Sequence, residues 1–196
     1  MASASRIDLT NQFLIAMPGM ADETFAGAVV YLCEHNEKGA LGLVINKPID
    51  IKLRNLFEKV ELKLDRADLA GLAEQPVYFG GPVQTERGFV LHHKQLEGGV
   101  PYNSTLSIPG GLEMTTSKDV LEAMAGGSGP AKVLITLGYS GWQAGQLEDE
   151  LGRNGWLTVD ADHKVIFDTP IEQRYDRALS LLGFDPRMLS QEAGHA

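Results

Sequence analysis

A single cysteine, Cys33, stands in a chain of 196 residues. It excludes an intrachain disulfide and any cysteine-rich zinc site, and it fits a reducing compartment. Long hydrophobic runs are missing as well: none nears the roughly 20 residues that a membrane-crossing helix needs. The opening Met1-Ala2-Ser3-Ala4-Ser5-Arg6 has no apolar leader stretch, so a cytoplasmic location is expected. Positive charge is scarce. With 17 Lys and Arg against 26 Asp and Glu the formal charge is -9, which repels phosphate backbones and argues against direct nucleic-acid binding. The densest basic stretch (Lys47, Lys52, Arg54, Lys59, Lys63 and Arg66) is interleaved with Asp50, Glu58, Glu61 and Asp65 and reads as a solvated face. No P-loop signature occurs, and Gly126 to Pro130 leaves a helix and precedes a strand, the reverse of a phosphate loop. No helix pair has the composition of a groove reader. Adjacent His92 and His93 point to opposite sides of a strand, and no His, Cys, Asp and Glu cluster has metal-ligand spacing, so no metal site is expected.

What is present is the composition of a soluble globule, 43% apolar and 22% charged. One domain over 1–196 is expected, with 1–6 and 190–196 frayed. Leu14 to Met17, Ala28 to His35 and Leu41 to Asn46 read as strands, the last two joined by a hairpin at Asn36-Glu37-Lys38-Gly39. Asp50 is placed to cap a helix with the stripe Leu53, Leu56, Phe57 and Val60, and a weaker helix or loop covers Asp65 to Ala73. Short strands follow at 77–79, 88–92, within 102–108 and at 112–115, punctuated by Gly80-Gly81-Pro82, Gly98-Gly99 and Pro109-Gly110-Gly111. Thr116 or Ser117 opens a helix carrying Val120, Leu121 and Met124. Lys132 to Leu137 reads as a buried strand, converted by Gly138-Tyr139-Ser140-Gly141-Trp142 into a helix with Ala144, Leu147 and Leu151 inward. Trp156 to Val159 and Val165 to Phe167 read as strands around a turn at Ala161-Asp162. A last helix starts from Thr169, Pro170 and Glu172 and carries Ile171, Tyr175, Ala178, Leu179 and Leu182. Gly183 ends it, and Asp185-Pro186 starts one further turn. Hairpins outnumber strand-helix-strand units, which predicts an α+β domain with a large mixed, mostly antiparallel sheet flanked by helices.

Two sets of residues could carry covalent chemistry. Gly138-Tyr139-Ser140-Gly141-Trp142 sits where a nucleophile elbow would, but Trp142 stands in place of the second glycine, and only His163 and His195 follow as bases. Cys33 and His35 lie two apart on a strand, hence on one face, a spacing that could pair thiolate with imidazolium. Either would make the protein a hydrolase-like enzyme using Ser140 or Cys33. The competing reading is inert packing for Cys33 and a structural or ligand-contacting corner for Ser140. The run Glu148-Asp149-Glu150 reads as a solvated helix face.

Apolar strands end repeatedly in polar or glycine-rich corners, and these are collinear with a known pattern. Phe13 to Pro18, Tyr31 to Asn36, Gly39 to Pro48, Val77 to Arg87 and Gly138 to Glu150 resemble the AlgH/YqgE family of bacterial proteins over nearly the whole chain. The matching positions are His35, Asn36, Asn46, Lys47, Pro48, Gly80, Gly81, Pro82, Arg87, Gly138, Trp142, Gln146 and Glu148. The resemblance implies one compact domain with a bifurcated sheet folded towards a barrel, a cytosolic setting, no known cofactor, and a label of transcriptional regulator linked to exopolysaccharide control. It supplies no catalytic residue. The expected role is therefore non-enzymatic binding or regulation through a protein or small-molecule ligand, with His35, Asn36, Asn46, Lys47, Arg87, Ser140, Trp142 and Gln146 as contacts.

Overall fold

An unbroken run such as Val29-Val30-Tyr31-Leu32-Cys33 is stable as a strand only when both of its faces are covered. The computed structural model, which describes residues 7–95 and 99–183, has that arrangement. Its strands are β1 (Gln12–Ala16), β2 (Val29–Asn36), β3 (Gly39–Val44), β4 (Pro48–Lys52), β5 (Pro76–Phe79), β6 (Val83–His93), β7 (Thr105–Ile108), β8 (Leu112–Thr115), β9 (Val133–Gln143) and β10 (Trp156–Asp160). Its helices are α1 (Leu53–Lys59), α2 (Ala70–Ala73), α3 (Asp119–Ala125), α4 (Gln146–Gly152), α5 (His163–Phe167) and α6 (Arg174–Ser180). The main path of the sheet runs β10-β1-β2-β3-β9-β6-β8-β7, with β4 and β5 attached beside β9. Among the described residues every pairing is antiparallel except β5 with β9. The sheet curls into a half-barrel, so the α+β class and the mixed, mostly antiparallel sheet are as expected.

Strand alternation divides the core. Phe13, Ile15, Val29, Tyr31, Leu43, Leu91 and Leu134 share one face, covered by Val165 and Ile166 of α5 and by Ala178 and Leu179 of α6. Leu14, Ala16, Val30, Leu32 and Val44 point the other way and pack with Leu147 of α4 and the two tryptophans, Trp142 and Trp156. The reverse face of the second half-sheet holds Val77, Val90 and Ile135 against α1 and α3.

The two half-sheets divide at β9. One edge of β9 pairs with β5 at Thr136 and Leu137 and with β3 from Ser140 to Gln143, while its other edge pairs with β6. Between β5 and β6 the chain must cross β9 at backbone distance. Gly80-Gly81-Pro82 makes the crossing, and a Cβ on Gly81, whose φ is +155°, would overlap the Tyr139 carbonyl.

Several local expectations are corrected. Asp50 caps no helix: Pro48-Ile49-Asp50-Ile51-Lys52 alternates with period two, pairs with β5, and aims Ile49 and Ile51 inward. Asn55 instead serves the start of α1, its Oδ1 accepting from the Lys52 amide at 3.1 Å. Residues 165–167 are helical, because Asp162 accepts from the Lys164 amide and caps α5 rather than forming a hairpin turn. Thr169 closes α5 by donating to the Lys164 carbonyl, and a 3-10 turn at Ile171–Gln173 precedes α6. Expected fraying of 1–6 and 190–196, the turn at Asp185-Pro186, Gly98 and His195 lie outside the described residues.

Candidate functional site

The largest correction concerns Gly138-Tyr139-Ser140-Gly141-Trp142. These residues do not turn from strand to helix; β9 runs straight through them to Gln143. As strand residues Ser140 and Trp142 share a face and lie opposite Gly42 and Ala40, whose small size leaves room for them. Ser140 is fully buried, and its hydroxyl donates to the Gly80 carbonyl at 3.0 Å, tying β9 to the crossing. No imidazole is bonded to it, so the nucleophile elbow is absent. Gly39 completes the corner: at φ +135° any Cβ would overlap the Trp142 carbonyl.

A bulge in β2 separates the second candidate pair. Leu32 pairs with Gly42 and Glu34 with Leu41, so Cys33 is the extra residue and the alternation shifts by one. Cys33 therefore packs with Tyr31 and Leu43, while His35 turns to the opposite face. Burial pushes the Cys33 thiol far above its ordinary range, with Glu34 adding to the effect. It is an inert core thiol. His35 is 5% exposed and occupied at both nitrogens. Its Nδ1 accepts from the Leu9 amide at 3.0 Å, which leaves Nε2–H to donate to Glu148 Oε1 at 2.5 Å.

Around His35 the hairpin, the end of β9 and α4 assemble one polar corner. Trp142 donates from Nε1 to Glu150 Oε1 at 3.2 Å, and Trp156 donates to the same oxygen at 3.1 Å. Gln146 donates to Glu150 Oε2 at 3.1 Å and accepts from the Gln143 amide at 2.9 Å, which fastens α4 to the strand it follows. Asn36 accepts from the Lys38 amide at 2.8 Å and sets the hairpin turn. Asn36, Trp142 and Gln146 meet at an open cleft of about 570 Å³, whose other walls include Glu34, Lys38 and Tyr139.

Asn46 and Lys47 act beside this corner. Asn46 accepts from the Val29 amide at 2.9 Å and donates to the Gly27 carbonyl at 2.8 Å. Lys47 Nζ donates to the Thr24 carbonyl at 2.9 Å; burial lowers its pKa, opposed by Asp22. Both residues hold the loop between β1 and β2, whose Phe25 stacks on Trp142 with ring centroids 6.2 Å apart. Arg87 is not part of the assembly. Exposed on β6, it donates to Gln84 and Thr116 and lies over Phe89. Of the sequence-derived contacts, Asn36, Trp142 and Gln146 share the cleft, His35 backs it through α4, Asn46 and Lys47 brace the loop beside it, and Ser140 and Arg87 stand apart.

Sequence reasoning missed Glu150, Phe25 and Trp156. Glu148 and Glu150 are not simply solvated, since they receive the imidazole and both indoles. A signal was available in the pairing of carboxylates on α4 with two tryptophans nearby in sequence. Among the described residues no three His, Cys, Asp or Glu side chains are grouped to hold a metal ion. No helix there is long and apolar enough to cross a membrane.

Comparison with known proteins adds kinship. A family model described as AlgH-like matches residues 13–187. UPF0301 proteins from Ralstonia nicotianae and Cupriavidus pinatubonensis are each 68% identical, over 97% and 99% of this chain and 96% and 98% of their own. The solution structure of the AlgH protein from Pseudomonas aeruginosa is 50% identical, covers 100% of both chains and superposes with a TM-score of 0.76. A crystal structure from Corynebacterium diphtheriae, 18% identical over 96% of this chain and 95% of its own with a TM-score of 0.73, shares the fold.

Proposed function

The chain belongs to the AlgH-like family, and from that premise we propose that it is a cytoplasmic, non-catalytic binding protein that receives a protein partner at the cleft beside the β2–β3 hairpin. One observation carries the reading: Asn36, Trp142 and Gln146 converge on this cleft, while neither candidate nucleophile has a base. The walls suit a protruding peptide segment. Tyr139, half-buried, offers flat apolar area, and Glu34, Lys38 and Gln146 provide both charge signs and amide groups for orientation. The regulatory role that the family resemblance implies would then act through this contact. An acidic chain without a groove-reading helix is poorly suited to binding a duplex directly.

Lys38→Glu and Gln146→Arg alter the rim without entering the core. Pull-downs from the native cytoplasm with each variant test the reading, with folding followed by circular dichroism. Loss of at least one partner retained by the parent chain is expected; folded variants that recover every partner would overturn it. Fluorophosphonate and thiol probes should leave Ser140 and Cys33 unlabelled in the native state.

A further inference from the structure

A second cavity, of about 360 Å³, opens between β5, the start of β9 and the α5–α6 connection; its walls include Tyr78, Lys132, Val133, Ile166, Ile171 and Arg174. It shares no lining residue with the cleft at Trp142. Arg174 is 6% exposed, and among the described residues it forms no ion pair. Two carbonyls hold its guanidinium: Nε donates to Thr169 at 2.9 Å and Nη1 to Ile45 at 2.5 Å. The plane lies over the Tyr78 ring, with Cζ 5.1 Å from the centroid.

These contacts engage Nε and Nη1, on different edges of the fork, and leave Nη2 without an acceptor among the described residues. Tyr78, also 6% exposed, has a hydroxyl with no partner among the described residues. Every fully sealed side-chain nitrogen and oxygen among the described residues is hydrogen-bonded, so neither of these two atoms is sealed from solvent, and both residues line the cavity. A buried cation balanced by carbonyl dipoles alone retains a strong preference for an anion. With Nη2 alone open, the guanidinium can still give an anion a charge-assisted hydrogen bond.

We propose that this cavity binds a small oxyanion on an apolar body, a monocarboxylate in the first instance. Arg174 Nη2 and the Tyr78 hydroxyl donate to the head group, and Val133, Ile166 and Ile171 receive the body. Lys132 is the second cation. Its pairing with Asp168 at 2.6 Å is solvent-exposed, and such pairs open at little cost, so the ammonium can turn to the ligand. Glu172 stands exposed on the rim and opposes a ligand of high negative charge, which favours a single charge over several.

Benzoate, inorganic phosphate and the neutral control benzamide test the site by amide chemical-shift titration of the full chain. Benzoate should give saturable shifts at Tyr78, Val133 and Ile171 with a dissociation constant on the order of 1 mM, the range of a ligand this size. Phosphate shifting the same amides as strongly as benzoate would overturn the apolar and single-charge parts of the proposal. Tyr78→Phe and Lys132→Met should each weaken benzoate about tenfold, and Arg174→Lys should abolish saturation. Should Arg174→Lys fail to fold, the other two variants carry the comparison. Benzamide binding as tightly as benzoate, no saturable shift with either anion, or unchanged affinity in folded Tyr78→Phe and Lys132→Met would overturn the proposal.

Discussion

Glu150 shows how much one carboxylate can organise. Both indole N–H groups terminate on its Oε1, and Gln146 occupies the other oxygen, so replacing it strands two part-buried donors. Glu150→Leu should cost about 3 kcal/mol in urea unfolding, since hydrogen bonds to charged acceptors are worth about 1.5–3 kcal/mol each and are not fully additive. Ser140→Ala should cost only about 1 kcal/mol, because the Gly80 carbonyl keeps the Val44 amide as donor at 2.9 Å. A larger loss would mean that the hydroxyl does more than tie β9 to the crossing. Gly39→Ala is the severe case. It combines a left-handed φ with overlap on the Trp142 carbonyl, and a destabilisation of about 3 kcal/mol is expected from thermal unfolding.

At the scale of elements, α4 acts as a clamp. Leu147 enters the core, Glu148 reaches His35 on β2, and Glu150 reaches β9 and β10, so seven residues bind three strands. His35 passes that restraint to the chain before β1 through the Leu9 amide. His35→Ala should therefore speed hydrogen exchange at Leu9 well beyond any change at Phe13 or Tyr31 in the strand interiors; equal acceleration at all three would point to global loosening instead. The loop between β1 and β2 is held in the same manner by Asn46. Asn46→Ala leaves the Val29 amide and the Gly27 carbonyl without this partner and should lower stability by about 2 kcal/mol, read together with faster proteolysis within 17–27.

Across the whole molecule, pH dependence near neutrality comes from buried imidazole. His92 sits beneath the sheet between the His93 carbonyl at 2.9 Å and the Thr115 hydroxyl at 2.8 Å, and burial holds its pKa below the ordinary 6.5. His163 is displaced the same way by burial and then by His93. A lowered native value means that the unfolded chain takes up the proton first. Stability should thus be constant above about pH 6.5, fall on acidification below it, and level off once the native-state values are passed. Unfolding in urea from pH 8 to pH 5, taken as about the span of an unperturbed histidine titration, should show the decline, reduced in His92→Gln.

Much of the fold was legible from residues alone, because strand alternation, glycine corners and hairpin turns are local signals: the β2–β3 hairpin, the sheet-rich middle and the predominance of antiparallel pairing follow from them. Charge and the lone cysteine likewise bounded the chemistry without coordinates. Tertiary structure alone decided whether Gly138 to Trp142 turned or ran on, since strand or helix there depends on β3 and Gly81 pressing against β9 from distant parts of the chain. It also decided that a single bulged residue would set Cys33 and His35 on opposite faces, and that Arg174 would cross 129 positions to reach the Ile45 carbonyl. Contacts of that range leave no periodic trace in a sequence, because both partners are chosen by the space between elements.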